Sequence, residues 1–98
     1  MKTDHLLTEK EFSQQVVDYA RLRRWRVARW PTWRSTGTNP GVPDLLLVRE
    51  RIIFAELKAG KGKLTPDQQS WLNLLEAAKQ EVYIWRPSDW PYIENRLR

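Results

Sequence analysis

Gly41-Val42-Pro43-Asp44-Leu45-Leu46-Leu47-Val48-Arg49-Glu50-Arg51-Ile52-Ile53-Phe54-Ala55-Glu56-Leu57-Lys58 decides the fold. Two apolar runs, Leu45 to Val48 and Ile52 to Ala55, flank Arg49-Glu50-Arg51, the pattern of a hairpin buried on both faces at the centre of a sheet. If the hairpin turns about Glu50, residues whose numbers sum to 100 face one another, and Asp44 lies opposite Glu56 with Cβ atoms roughly 5 Å apart. Side chains alternate along a strand, so Lys58 points to the same face as Glu56, roughly 7 Å further on. Two buried carboxylates oppose each other's ionisation unless a cation shares them. A hard divalent ion resolves the conflict, because carboxylate oxygens, a backbone carbonyl and water suit Mg²⁺ or Mn²⁺. Such an ion polarises a phosphate and acidifies a bound water, which Lys58 would orient or deprotonate, or whose transition-state charge it would neutralise. Taken alone, an Asp…Glu-X-Lys hairpin reads more simply as a structural salt bridge.

The flanking segments supply the rest of the fold. Thr8-Glu9-Lys10-Glu11 reads as a capping box that opens a first helix at Thr8, with Phe12, Val16 and Tyr19/Ala20 at helical spacing. Glu9 precedes Phe12 by three and Val16 by seven, which puts it on the inward face, whereas Glu11 projects sideways and has a local task as the N3 member of the box. Glu9 is therefore preferred over Glu11 as an acid aimed at the site. Trp25 to Trp30 is rich in aromatic and β-branched types and suits a half-buried strand. Pro31 to Pro43, with three prolines and two glycines, is a loop long enough to carry function. Gly60-Lys61-Gly62-Lys63 is a basic turn leading into Thr65-Pro66-Asp67-Gln68, a second capping box with proline at the first helical position. Trp71, Leu72, Leu75 and Ala78 give that helix its apolar stripe. Gln68 falls on the same buried face, although N3 capping alone would account for it. Val82 to Trp85 forms a final strand, parallel to one hairpin strand through a right-handed crossover, and Ser88 to Arg98 a short closing helix. The order is αβββαβ with a short tail, an α/β chain built on a mixed central sheet flanked by helices.

Composition narrows the chemistry. The chain has 98 residues, enough for one domain spanning 1–98 and hardly for two. Seventeen Lys+Arg against 12 Asp+Glu leave a net charge of +5, and 41% hydrophobic residues allow a modest core. Without cysteine and with His5 the single histidine, a zinc knuckle, a disulfide scaffold, a Cys nucleophile and a Ser-His-Asp triad at an ordered site all lack parts. Catalysis must run on carboxylates and lysine. No long apolar stretch and no charged-then-apolar leader is present, so no membrane association and an intracellular setting, the cytoplasm of a bacterium or of a phage-infected cell, are expected.

Glu9 on the first helix, Gly41-Val42-Pro43-Asp44, Glu56-Leu57-Lys58 and Gln68 together resemble the VRR-NUC branch of the PD-(D/E)XK nuclease superfamily, particularly its small stand-alone phage and bacterial members. The resemblance runs from Thr8 to about Asp89, and its order, spacing and helix-strand context are specific. It implies a restriction-endonuclease-like core in which Asp44 and Glu56 ligate Mg²⁺ or Mn²⁺ directly and the carbonyl of Leu57 completes the protein ligands. Glu9 would reach the metal through water or a second ion, Lys58 would serve the attacking water, and Gln68 would orient Lys58 or the phosphate. The family often carries glycine before the aromatic that opens the first strand; this chain has Arg24 before Trp25, a departure that touches a turn and leaves the metal site alone.

Between Tyr19 and Pro43 there is no acidic residue, while Arg21, Arg23, Arg24, Arg26, Arg29 and Arg34 accumulate with Trp25, Trp30 and Trp33. A basic segment leading into an acidic site matches what a DNA backbone requires, and Arg29, Arg34, Lys61 and Lys63 are the expected phosphate contacts. Trp25 and Trp71 are read as core; Trp33 would stack on a base, meet a partner subunit or fold back on its own domain. One metal site cuts one strand at a time, so acting on both strands calls for a homodimer, and six tryptophans in a core this small agree with an interface. The resemblance adds a preference for branched, Holliday-like junctions. The expectation is thus a metal-dependent, structure-selective DNA endonuclease. A non-catalytic DNA-binding module and an RNA-directed nuclease are the alternatives.

Overall fold

The computed structural model describes residues 7–29 and 40–98. Thr8 caps helix α1 (Glu9–Leu22): its hydroxyl accepts from the Glu11 amide at 3.0 Å, and Glu11 accepts from the Thr8 amide at 3.1 Å. Strand β1 (Arg26–Arg29) follows, then β2 (Leu45–Val48), β3 (Ile52–Leu57), α2 (Pro66–Ala77), β4 (Glu81–Trp85), a 3₁₀ turn (Pro87–Asp89) and α3 (Trp90–Leu97). The sheet is mixed, in the order β1-β2-β3-β4. β2 and β3 pair antiparallel as Leu45↔Ala55, Leu46↔Phe54, Leu47↔Ile53 and Val48↔Ile52, the register expected for a turn about Glu50. β4 lies parallel to β3 across the α2 crossover.

Alternation of side chains sorts the sheet into two unlike faces. Leu45, Leu47, Ile53, Ala55 and Leu57 point to one face and are fully buried against Phe12, Val16, Val17 and Ala20 of α1 and Ile93 and Leu97 of α3. The other face is covered in part, because α2 packs against β4 at one side of the sheet. Leu46 and Phe54 are half-buried there, and Val48 and Ile52 exposed. The hairpin is therefore central but not buried on both faces. The same geometry corrects the reading of α2: Gln68 and Leu72 are buried, whereas Trp71 and Leu75 are half-buried and Ala78 is exposed. A helix that crosses only one margin of a sheet buries a narrow stripe. Trp25, by contrast, is in the core, with Nε1 donating to the Leu97 carbonyl at 2.8 Å.

Both long helices end alike. Arg24 and Lys79 adopt positive φ (71° and 66°), and the two amides at each end fold back to the last turn: Arg24 N to Arg21 O, Trp25 N to Ala20 O, Lys79 N to Glu76 O, Gln80 N to Leu75 O. These are Schellman motifs with a cation where glycine fits best. Arg24 is the position at which the resemblance expected glycine, and the left-handed backbone gives the physical reason. At the hairpin turn, Arg49 reaches the carbonyls of Arg23, Leu97 and Arg98, and Arg51 that of Arg96, so two arginines close the C-terminus of α3. Arg49 also pairs with Glu50, and that hydrogen bond holds the Glu50 carboxyl down at about 2.

Candidate active site

The C-terminal ends of the parallel strands β3 and β4, the start of β2 and the N-terminus of α2 meet at one end of the sheet. Continuing the β2–β3 register one step beyond Leu45↔Ala55 sets Asp44 beside Glu56. Asp44 sits just outside the ladder, where its Oδ2 accepts from the Leu57 amide at 2.8 Å. That bond substitutes a side chain for the next rung and fixes the carboxylate against the strand that carries its partner. Glu56 is fully buried, on the half-covered face opposite the main core. Lys58, 7% exposed, holds its ammonium 3.7 Å from Glu56 Oε2. Burial of a paired acid and base at a strand end is costly unless further hydrogen bonds support it.

Gln68 supplies one. Its Oε1 accepts from the Thr65 amide at 2.9 Å while its Nε2 donates to Glu56 Oε2 at 3.0 Å. The capping role and the site role are the two ends of one amide: because the oxygen is committed to the helix start, the nitrogen must face the carboxylate. Gly41 locks the same corner. At φ +88°, its backbone lies so close to α2 that a Cβ there would fall 2.4 Å from the Asp67 carbonyl carbon and 2.6 Å from the Gln68 nitrogen. The chain leading into Asp44 is thus seated on the helix turn that presents Gln68. The glycine was read as part of a motif; its reason, close backbone approach, has no local signal in sequence.

Asp44, Glu56, Lys58 and Gln68 are therefore brought together. Glu9 is half-buried in the first turn of α1, with Glu11 engaged in its capping box. Among the described residues no group of three or more His, Cys, Asp or Glu is close enough to hold an ion, so Glu9 does not close a three-acid cluster with Asp44 and Glu56. Arg29 ends β1 opposite Leu45 and is exposed, its guanidinium bonded to Ser13 Oγ at 2.9 Å and Gln14 Oε1 at 3.3 Å. Lys61 and Lys63 are exposed on the turn after β3. Arg34, Trp30, Trp33 and most of the 31–43 loop lie outside the described residues.

The family model for the VRR-NUC domain matches residues 3–89. The chain belongs to the VRR-NUC family. VRR-NUC is a nuclease-family domain, and a nuclease domain implies nucleic-acid binding. A solved VRR-NUC domain protein matches the fold with a TM-score of 0.62 and 21% identity, covering 80% of this chain and 76% of that one. A search among curated proteins gave no match. Among the described residues no helix is long and apolar enough to cross a membrane.

In this VRR-NUC chain Asp44 and Glu56, adjacent to the Leu57 peptide, are the residues that would hold a hard divalent ion, a type that takes carboxylate and carbonyl oxygens together with water. Sequence reasoning missed Arg86, which follows β4 and donates to the carbonyls of Gly60 and Gly62. Nothing local distinguishes it from any other surface arginine; only the parallel pairing of β4 with β3 brings it to the basic turn.

Proposed function

We propose that this VRR-NUC chain is a Mg²⁺- or Mn²⁺-dependent endodeoxyribonuclease that hydrolyses phosphodiester bonds in branched, Holliday-junction-like DNA. The 98 residues would act as one nuclease domain, as a homodimer, inside the cell. The observation that carries the reading is the buried Glu56–Lys58 pair with Asp44 and Gln68 around it, at the strand ends of a nuclease-family fold. Asp44, Glu56 and the Leu57 carbonyl would hold the ion. When bound, such an ion polarises the phosphate and lowers the pKa of a coordinated water. Lys58, with its Nζ 3.7 Å from Glu56 Oε2, would orient the attacking water or neutralise charge gathering on the phosphate oxygens. Gln68 holds Glu56 in one rotamer, and Glu9 would act through solvent. Arg29, Arg34, Lys61 and Lys63 would neutralise the backbone on either side of the scissile bond.

End-labelled four-way, three-way and linear DNA incubated with Mg²⁺ or Mn²⁺ tests this directly. The D44N, E56Q and K58A proteins should bind junctions and fail to cut them, and sedimentation should give the mass of two chains. Absence of cutting on every substrate by folded, DNA-binding wild type refutes the enzymatic reading. A second reading, a non-catalytic DNA-binding module, draws on the fact that Glu56 already has Lys58 and Gln68 as partners, as a structural ion pair would. It expects binding without metal dependence. Matched RNA junctions separate the RNA-directed alternative.

A further inference from the structure

The turn Gly60 to Lys63 has little to hold it by itself: beyond the Gly62 amide donating to the Ala59 carbonyl at 3.3 Å, its residues are solvent-exposed. It nevertheless folds back over the site. A Cβ on Gly62 would stand 3.5 Å from Cδ of Lys58, so the turn lies against the stem of the lysine whose ammonium faces Glu56. The brace comes from the neighbouring strand. Arg86 donates from Nη2 to the Gly62 carbonyl at 2.8 Å and from Nη1 to the Gly60 carbonyl at 3.4 Å. Its own backbone is fixed at both ends, the amide donating to Asp89 Oδ2 at 2.9 Å and the carbonyl accepting from the Asp89 amide at 2.8 Å. The parallel ladder brings this anchor beside Lys58, whose amide donates to the Trp85 carbonyl at 3.0 Å.

We infer that Arg86 is a positioning residue for Lys58: its planar fork clamps two carbonyls of the basic turn, keeping the lysine stem enclosed and Lys61 and Lys63 presented at the same edge. The inference rests on the proposed nuclease reading for its consequence in catalysis, and on geometry alone for its effect on Lys58. A guanidinium suits the task because its donors lie in one rigid plane and reach two acceptors at once; an ammonium keeps the charge and loses that plane.

Competitive acetylation of the metal-free, DNA-free protein, read by mass spectrometry, gives the reactivity of each lysine. Lys58 should label slowly in wild type. In R86Q its rate should rise roughly fivefold to tenfold, the effect of losing a charged clamp on a local opening equilibrium, with Lys10 on α1 unchanged as the internal standard. R86K should fall nearer to R86Q than to wild type, which also keeps the test valid if R86Q folds poorly. In steady-state cleavage of a junction, both variants should lose kcat by more than they raise KM. Unchanged Lys58 labelling in R86K and R86Q overturns the inference, even if wild type cuts DNA. Labelling that rises in variants of a protein that never cuts DNA upholds the clamp and refutes the nuclease reading instead. Wild-type behaviour of R86K alongside weakened DNA binding by R86Q would show a charge acting on the phosphate backbone, and would also overturn it.

Discussion

Replacing Gln68 by glutamate isolates the one contact that joins helix capping to the site. The introduced carboxylate caps Thr65 as well as the amide does, since Glu is as common as Gln at N3 of a capping box. What changes is the atom facing Glu56, where a donor at 3.0 Å from Oε2 becomes an anionic oxygen. Two unit charges at that distance repel by about 5.5 kcal/mol at an effective dielectric of 20. The Lys58 ammonium, 3.7 Å from the same Oε2 and therefore within about 7 Å of the new oxygen, offsets at least about 2.4 kcal/mol of that and leaves about 3. The alternative is to retain one proton between the two carboxyls: holding an ordinary carboxyl with a pKa of about 4.3 protonated at pH 7 costs about 3.7 kcal/mol, at about 1.4 kcal/mol per pH unit. The charged pair is thus the cheaper state at pH 7 and the protonated one at lower pH. Because the folded variant keeps at low pH a proton that the unfolded chain releases above the ordinary carboxyl pKa, its deficit grows as pH rises from about 4.3 and levels off at about 3 kcal/mol near neutrality. Urea denaturation of wild type and Q68E in EDTA, followed by tryptophan fluorescence from pH 4.5 to 7.5, measures the gap. A gap that is flat with pH, or below about 0.5 kcal/mol at pH 7, refutes the placement of Gln68 against Glu56.

Further outcomes follow from single features. G41A should destabilise the protein by about 2 kcal/mol or more, from the left-handed backbone and from the clash with the Asp67–Gln68 peptide, and should reduce cleavage beyond its effect on melting temperature because Asp44 moves with the loop. R24G and K79G should each stabilise by about 1 kcal/mol and add to within about 0.5 kcal/mol, since the two turns close on different carbonyls; thermal denaturation of the double variant checks this. Glu50 has a carboxyl held at about 2 by its hydrogen bond to Arg49, below its ordinary 4.5, so its contribution is complete above pH 4.5 and is lost as pH falls toward 2. In an acid titration E50Q should show a shallower loss over that window than wild type, and identical slopes would remove Glu50 from the account.

Much of the site was legible because strands and capped helices convert sequence spacing into position by fixed rules. Period two and a turn centred on Glu50 were enough to face Asp44 with Glu56 and to align Lys58 with Glu56, and both capping boxes formed as written. Trp71 was misread for a physical reason: periodicity tells which side of a helix is apolar, not how much sheet lies beneath it, and α2 packs mainly against β4 at the sheet margin. For a like reason helix spacing gives Glu9 its inward direction but not its distance from the strand acids, which depends on how far α1 stands above the sheet end.

Local order, the identity of each element and the facing of the two strand acids are thus properties of the chain's own pattern, set by backbone geometry that acts over a few residues. Tertiary packing alone decided that Gly41 rests on the α2 turn, that one amide serves both Thr65 and Glu56, and that Arg86 braces the turn over Lys58. These contacts join segments whose separation in space is determined by how the sheet, its crossover and its covering helices settle against one another, and no spacing along the chain encodes that distance.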